Sequence, residues 1–161
     1  GLHQVYDVAH NSAKLEKQEW QGKKLDLLVH RKGATRAFVA GMPEIPKRYS
    51  DDGQPVIIGG SMETGSYLLV ATQGAKETFY STAHGSGRTM SRHQAKKIVR
   101  GEKLIKELEQ RGIYVRTVSY SGVAEEAGIA YKNIDEVALA TELAGISKRI
   151  AKFVPIGNIK G

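Results

Sequence analysis

Cysteine is absent from this chain, and no long apolar run occurs in it. A chain without cysteine has no disulfide framework and no cysteine-ligated zinc site within these residues, and it suits a reducing compartment. No stretch approaches the roughly 18 consecutive apolar residues of a membrane span, and no secretory leader is visible. The expectation is a cytoplasmic protein with no membrane partner. Proline is scarce too: there are 4, and Pro43, Pro46 and Pro55 all fall in one stretch, 33–55.

What the chain has in surplus is positive charge. Its 24 Lys and Arg against 17 Asp and Glu give a formal net charge of +7. A surplus of this size fits phosphate-bearing partners, and it fits a merely basic soluble protein equally well. The length of 161 residues and the 40% hydrophobic content suit one domain with a buried core. The chain opens on Gly1 and on residues that read as the inside of an element, so a segment of a longer protein is expected.

Patterning implies an α+β fold with a mixed sheet, flanking helices and one compact core. Val5, Val8, Ala9 and Leu15 have helical spacing across residues 3–18. Strands are expected at 24–31, at Val-Ile-Ile-Gly-Gly, at Ser-Tyr-Leu-Leu-Val-Ala-Thr, at Ile-Tyr-Val-Arg-Thr-Val-Ser and after Ser147. Residues 33–55 read as a long loop, of a length that is often functional. Ser91 is a candidate N-cap for a basic helix that Gly101 interrupts and Gly112 closes, and Asn133 one for a helix ending at Gly145.

Four stretches carry residues able to do chemistry. In His-Gly-Ser-Gly-Arg-Thr-Met-Ser-Arg, His84 stands before Gly85 and Gly87, with Arg88 and Arg92 four apart; on a helix the two guanidiniums would share a face and fork onto phosphate. A neutral imidazole can attack phosphorus; a surface histidine on a turn is the plainer alternative. Gly59–Ser66 places glycines and hydroxyls between two strands, as an anion-holding turn or as an ordinary polar hairpin turn. Asp7, His10 and Asn11 would lie on adjacent helical turns, His10 as a metal ligand oriented by Asp7. Arg31, Lys32 and Arg36 lead from a strand into a basic loop, suited to a phosphate backbone or to solvent.

Taken in order, Val-Tyr-Asp-Val-Ala-His-Asn, Val-His-Arg-Lys-Gly-Ala-Thr-Arg-Ala-Phe, Gly-Gly-Ser-Met-Glu-Thr-Gly-Ser-Tyr-Leu-Leu, Ser-Thr-Ala-His-Gly-Ser-Gly-Arg-Thr-Met-Ser-Arg, Ala-Tyr-Lys-Asn-Ile-Asp-Glu-Val and the terminal Ile-Gly-Asn-Ile-Lys-Gly closely resemble the C-terminal part of the RtcB family of GTP-dependent RNA ligases. The resemblance covers essentially the whole chain. It implies a C-terminal portion of an RtcB-like fold. It also implies joining of RNA 3′-phosphate or 2′,3′-cyclic phosphate ends to 5′-hydroxyl ends, in tRNA splicing and RNA repair.

By that resemblance His84 is the histidine guanylylated from GTP, carrying GMP covalently, and His10 is a ligand of Mn2+. Asn11, the turn Gly59, Gly60, Ser61 and Met62, then Ser66, Gly85, Ser86 and Gly87 would contact the nucleotide. Lys160 would meet the guanine, with Gly157 and Gly161 letting the tail bend inward. Lys32, Arg88 and Arg92 are candidate RNA or phosphate contacts. Gly59 replaces the family's usual proline, Glu63 stands where glycine is common, and Ser86 replaces a common alanine. The aspartate, cysteine and further histidines of the metal site belong to an N-terminal part outside these residues, which is therefore a required partner. RNA, as tRNA halves or broken ends, is the other partner, and an archease-type activator serves some members. The alternatives are a non-catalytic RNA- or nucleotide-phosphate-binding module in which His84 only donates a hydrogen bond, and an inactive fragment needing a partner chain.

Overall fold

In the computed structural model, which describes residue 1 and residues 3–160, regular structure begins at β1 (Asn11–Trp20) and turns back into β2 (Lys23–Lys32). The strands pair antiparallel throughout, from Asn11 opposite Lys32 to Trp20 opposite Lys23. Between them Gln21 and Gly22 take φ values of 49° and 74°, the left-handed pair whose twist matches that of its strands. This corrects the helical reading of residues 3–18: residues 3–10 form no helix or strand and 11–18 are strand. Leu15, which completed the helical spacing, is 77% exposed, while Gln18 is buried. The strand is selected by its partner and not by an apolar stripe of its own.

The remaining elements are β3 (Ala34–Arg36), β4 (Pro55–Gly59), β5 (Ser66–Ala71), β6 (Ser81–Ala83), α1 (Arg92–Ile98), α2 (Gly101–Gln110), β7 (Tyr114–Thr117), α3 (Tyr120–Glu125), α4 (Ile134–Leu143), β8 (Ser147–Phe153) and β9 (Gly157–Lys160), with short 3-10 turns at Lys47–Tyr49, Gln73–Thr78 and Gly128–Ala130. The α+β class holds, its strands spread over several small sheets. β3 pairs antiparallel with β6, β7 pairs parallel with β9, and β4, β5 and β8 form a three-stranded sheet in that order.

Two compact units divide the chain: residues 1–57, 68–84 and 139–150, and residues 58–67, 85–138 and 151–161. Each has a hydrophobic cluster of its own where composition suggested one core. In the first, Ala37, Val39, Val56, Ala71 and Ala75 are buried together, with Met42, Tyr80 and Ile146 against them. In the second, Leu104 and Leu108 of α2, Val115 of β7 and Val123 of α3 close over Met62, Ile113 and Ala127.

In the second unit Ser91 caps α1 as its sequence suggests: its Oγ accepts from the Gln94 amide at 3.1 Å, and Gln94 Oε1 accepts from the Ser91 amide at 3.0 Å. Gly101 starts α2 instead of merely interrupting a helix. A Cβ there would stand 1.9 Å from the Tyr120 carbonyl oxygen, so glycine is what lets α2 and α3 approach. Asn133 Oδ1 accepts from the Asp135 amide at 2.8 Å at the start of α4. Among the described residues no helix is long and apolar enough to cross a membrane.

Candidate active site

In the first unit the short ladder of β3 and β6 ends at Ala83, His84 follows it directly, and the chain enters β1 from His10. The two imidazoles stack, with centroids 4.7 Å apart and planes 9° from parallel. Gly33, between β2 and β3, fixes this approach. Its amide donates to the His10 carbonyl at 3.0 Å, and its φ of +70° belongs to the region that favours glycine. Burial, and then the neighbouring His10, push the His84 pKa below its ordinary value. The shift favours the neutral imidazole, the form whose ring nitrogen lone pair can attack.

Both histidines line a pocket of about 290 Å³, together with Tyr6, Asp7, Thr35 and Leu68. Asp7 thus reaches the same pocket as His10, but not from an adjacent helical turn as its spacing suggested. Thr35 is 3% exposed, and its hydroxyl has no hydrogen-bond partner among the described residues. Its Cα partner across the ladder, Thr82, has an orphaned hydroxyl as well. Asn11 pairs with Lys32 across the hairpin. Of the basic residues after it, Lys32 is exposed, whereas Arg31 is buried and ion-paired to Glu16. Arg36 donates to Gln54 Oε1 at 3.1 Å and sits over the Phe38 ring. The basic loop is therefore largely committed within the fold.

The second unit holds the glycine-rich residues. Gly85 bridges Gly59, and the Ser86 amide donates to the Gly59 carbonyl at 2.8 Å, so two of the sequence motifs meet. The Ser86 hydroxyl, on a residue 4% exposed, has no partner among the described residues. Gly87 has φ +72° and open space at its Cβ position.

The 59–66 turn is tighter than an anion nest requires. The Gly60 amide donates to the Gly65 carbonyl, those of Thr64 and Gly65 to the Ser61 carbonyl, that of Ser61 to Thr64 Oγ1 and that of Glu63 to Ser61 Oγ. A Cβ on Gly60 would meet the Gly65 carbonyl oxygen at 2.4 Å, so internal packing already requires this glycine. The Met62 side chain packs into the core of this unit, 3% exposed, while its backbone stays part of the turn. Ser66 opens β5, half-buried. Glu63 directs its charge to the Gly128 amide at 2.5 Å and to Arg111.

Arg88 and Arg92 do not share a helix face, because α1 begins only at Arg92. They meet instead at Glu126, at 3.5 and 3.2 Å. Arg88 also donates to the Tyr131 hydroxyl at 3.0 Å, to the Glu125 carbonyl at 2.7 Å and to the Met90 carbonyl at 3.1 Å. Burial alone would raise the Glu126 carboxyl, but the Tyr131 hydroxyl, Arg92, Lys160 and Arg88 together hold it below its ordinary value. Burial and the Glu126 carboxylate push the Tyr131 phenol up. Tyr131 and Glu126 were not singled out by their sequence; their signal is the tertiary meeting of 125–131 with Arg88.

Lys160 lies opposite Thr117 in the β7–β9 pair, not on an inward bend; Gly157 is the first residue of that strand, and Gly161 falls outside the described residues. A larger cavity of about 780 Å³ in this unit reaches Ser61, Tyr131 and Lys132; two of its three cations, Arg111 and Lys152, are paired with Glu63 and Asp135.

Among the described residues no cluster of three or more His, Cys, Asp or Glu could hold a metal ion. His10 fits as one imidazole ligand of an incomplete set.

A family model described as "RtcB: tRNA-splicing ligase RtcB" matches residues 1–161. Relatives of that name are similar over nearly all of this chain. The tRNA-splicing ligase RtcB of Pyrococcus abyssi is 56% identical over 162 residues, covering 100% of this chain and 18% of its own length. That of Thermococcus kodakarensis is 54% identical over 158 residues, covering 98% and 33%. That of Archaeoglobus fulgidus is 54% identical over 162 residues, covering 100% and 34%. The chain belongs to the RtcB family. It spans about a third or less of the length of these curated relatives.

Proposed function

We propose that the whole protein is a GTP- and manganese-dependent RNA ligase and that this chain carries its nucleotide-accepting half. The observation that supports this most is His84 itself, stacked on His10 at the wall of a pocket, where partial desolvation and the neighbouring imidazole favour its neutral form. A ring nitrogen of His84 attacks the α-phosphorus of GTP: an N–P bond forms, the bond from that phosphorus to the β-phosphate oxygen breaks, pyrophosphate leaves, and the second ring nitrogen gives up its proton. An oxygen of the RNA 3′-phosphate then takes the guanylate, breaking the N–P bond. The 5′-hydroxyl attacks that activated 3′-phosphate, GMP departs and a phosphodiester remains. A 2′,3′-cyclic end is first opened by water.

His10 would supply one imidazole to manganese, which when bound offsets charge on phosphate oxygens as a Lewis acid. The other ligands would come from a further part of the protein. Lys160, a donor only, suits guanine O6, and Asn11, Ser61 and Ser86 offer polar groups to the nucleotide. tRNA halves or broken RNA ends are the substrates in this reading, the cytoplasm its setting, and an archease-type protein an activating partner. The name that the relatives share supports the RNA assignment.

An RNA-joining assay on the whole protein tests the reading. Strands ending in 3′-phosphate and 5′-hydroxyl should be joined with GTP and manganese, and not with either omitted. Tight RNA binding with no joining under any nucleotide or metal would instead make the protein a binding module.

A further inference from the structure

Just before β6 two bulky residues adopt a conformation that L residues avoid. Phe79 and Tyr80 have φ values of 51° and 50°, in the left-handed region where the Cβ crowds the backbone and aromatic residues are rare. The step lies only a few residues from His84, with β6 between.

The step is gripped from the hairpin. Arg31 Nη2 donates to the Phe79 carbonyl at 3.0 Å and to the Tyr80 carbonyl at 3.5 Å. Arg31 Nε donates to Ser81 Oγ at 2.9 Å, and that hydroxyl donates on to the Phe79 carbonyl at 3.2 Å. Glu16 holds the guanidinium in turn: Nη1 donates to Oε1 at 2.6 Å and Nη2 to Oε2 at 2.8 Å. Gln18, itself buried, donates to Glu16 Oε2 at 3.0 Å. The Arg31 and Glu16 side chains are 1% and 8% exposed. Desolvation takes back much of the attraction in a buried pair, so such a pair is weak evidence of stability. What the planar fork does supply is a fixed direction, which a lysine cannot reproduce.

We propose that Arg31, held by Glu16, is a positioning residue for His84: it clamps the left-handed Phe79–Tyr80 step and so sets the position at which β6 delivers His84 against His10. This rests on the reading of His84 as the nucleophile. In-line attack on phosphorus tolerates little misplacement, and an error of about 1 Å can cost on the order of a hundredfold in rate.

The test uses Arg31→Lys, which keeps the charge and loses the fork, alone and with Phe79→Asn, which installs a residue that accepts left-handed backbone. Two quantities are read in the whole protein: amide hydrogen exchange at Thr82 and Ala83, and the rate of GTP-dependent labelling of His84 against GTP concentration. Arg31→Lys should speed exchange at both amides and lower the saturating labelling rate about tenfold or more, with the KM for GTP within about threefold of wild type. Phe79→Asn in that background should recover most of both losses, which a merely structural role for Arg31 would not allow. Unchanged exchange in Arg31→Lys, or no recovery in the double variant, overturns the clamp. If the wild type takes no label, the nucleophile reading falls, and exchange alone still decides the clamp. Should Arg31→Lys fail to fold, Glu16→Gln weakens the same fork and is judged by the same outcomes.

Discussion

His10 and His84 stack face to face, 4.7 Å between centroids, although 73 residues separate them in the chain. Each has its own expected role in the proposed chemistry, one toward metal and one toward phosphorus. His10→Ala should therefore weaken manganese binding without removing the nucleophile, since one lost ligand misplaces the ion's charge. Labelling should need more manganese and recover in part at high concentration. An unchanged metal titration in the whole protein would rule His10 out as a ligand.

Thr35 offers a test that separates stability from chemistry. Its buried hydroxyl has no partner among the described residues, and a buried hydroxyl without a hydrogen bond costs about 1 to 3 kcal/mol. Thr35→Val keeps the shape and removes that cost. Thermal unfolding should show equal or greater stability, while labelling at limiting GTP falls if the hydroxyl serves the pocket's ligand. A lower melting temperature would mean that the hydroxyl is satisfied in the folded protein.

Gly101 sets two familiar effects against each other. Alanine is the better helix former by about 1 kcal/mol. Here, however, its Cβ would stand 1.9 Å from the Tyr120 carbonyl oxygen, and backbone cannot give way as a side-chain tip can. Forced overpacking costs about 1 to 3 kcal/mol, so Gly101→Ala should lower the denaturant midpoint of unfolding. A raised midpoint would show that α2 and α3 are not in the contact described.

Lys160 is fixed by strand pairing, not by a bend, which leaves its ammonium directed by a regular element. An ammonium serves guanine O6 and finds no acceptor at that position in adenine. Lys160→Ala should reduce the preference for GTP over ATP more than it slows labelling at saturating GTP. Competition of labelled GTP with excess ATP reads this directly, and identical discrimination in both proteins would place guanine recognition elsewhere.

Local signals were legible where local physics decides. Ser91 with Gln94 announces the start of α1, the apolar alternation in Tyr67, Leu69 and Ala71 marks β5, and Gly145, with φ +68°, closes the helix before it. Nonlocal pairing was not legible. β1 is a strand because Lys23–Lys32 lies beside it, and nothing in Val5, Val8, Ala9 and Leu15 reveals that. The shared face expected of Arg88 and Arg92 needed a helix already formed at Arg88, whereas α1 begins only at Arg92, and their meeting at Glu126 depends on a segment over thirty residues away. His84 and His10 were legible as separate motifs. Their stacking, the orphaned hydroxyl of Thr35 and the Arg31 clamp exist only once β6 has paired with β3.

The proposed ligase chemistry turns on whether His84 becomes covalently attached to guanylate. The direct measurement is peptide mass mapping of the whole protein after incubation with GTP and manganese, under alkaline conditions that spare an N–P bond, with His84→Ala alongside. The account predicts one added GMP, on the peptide containing His84, and none in His84→Ala with its circular dichroism unchanged. GMP on a different residue, or undiminished labelling in His84→Ala, would contradict it.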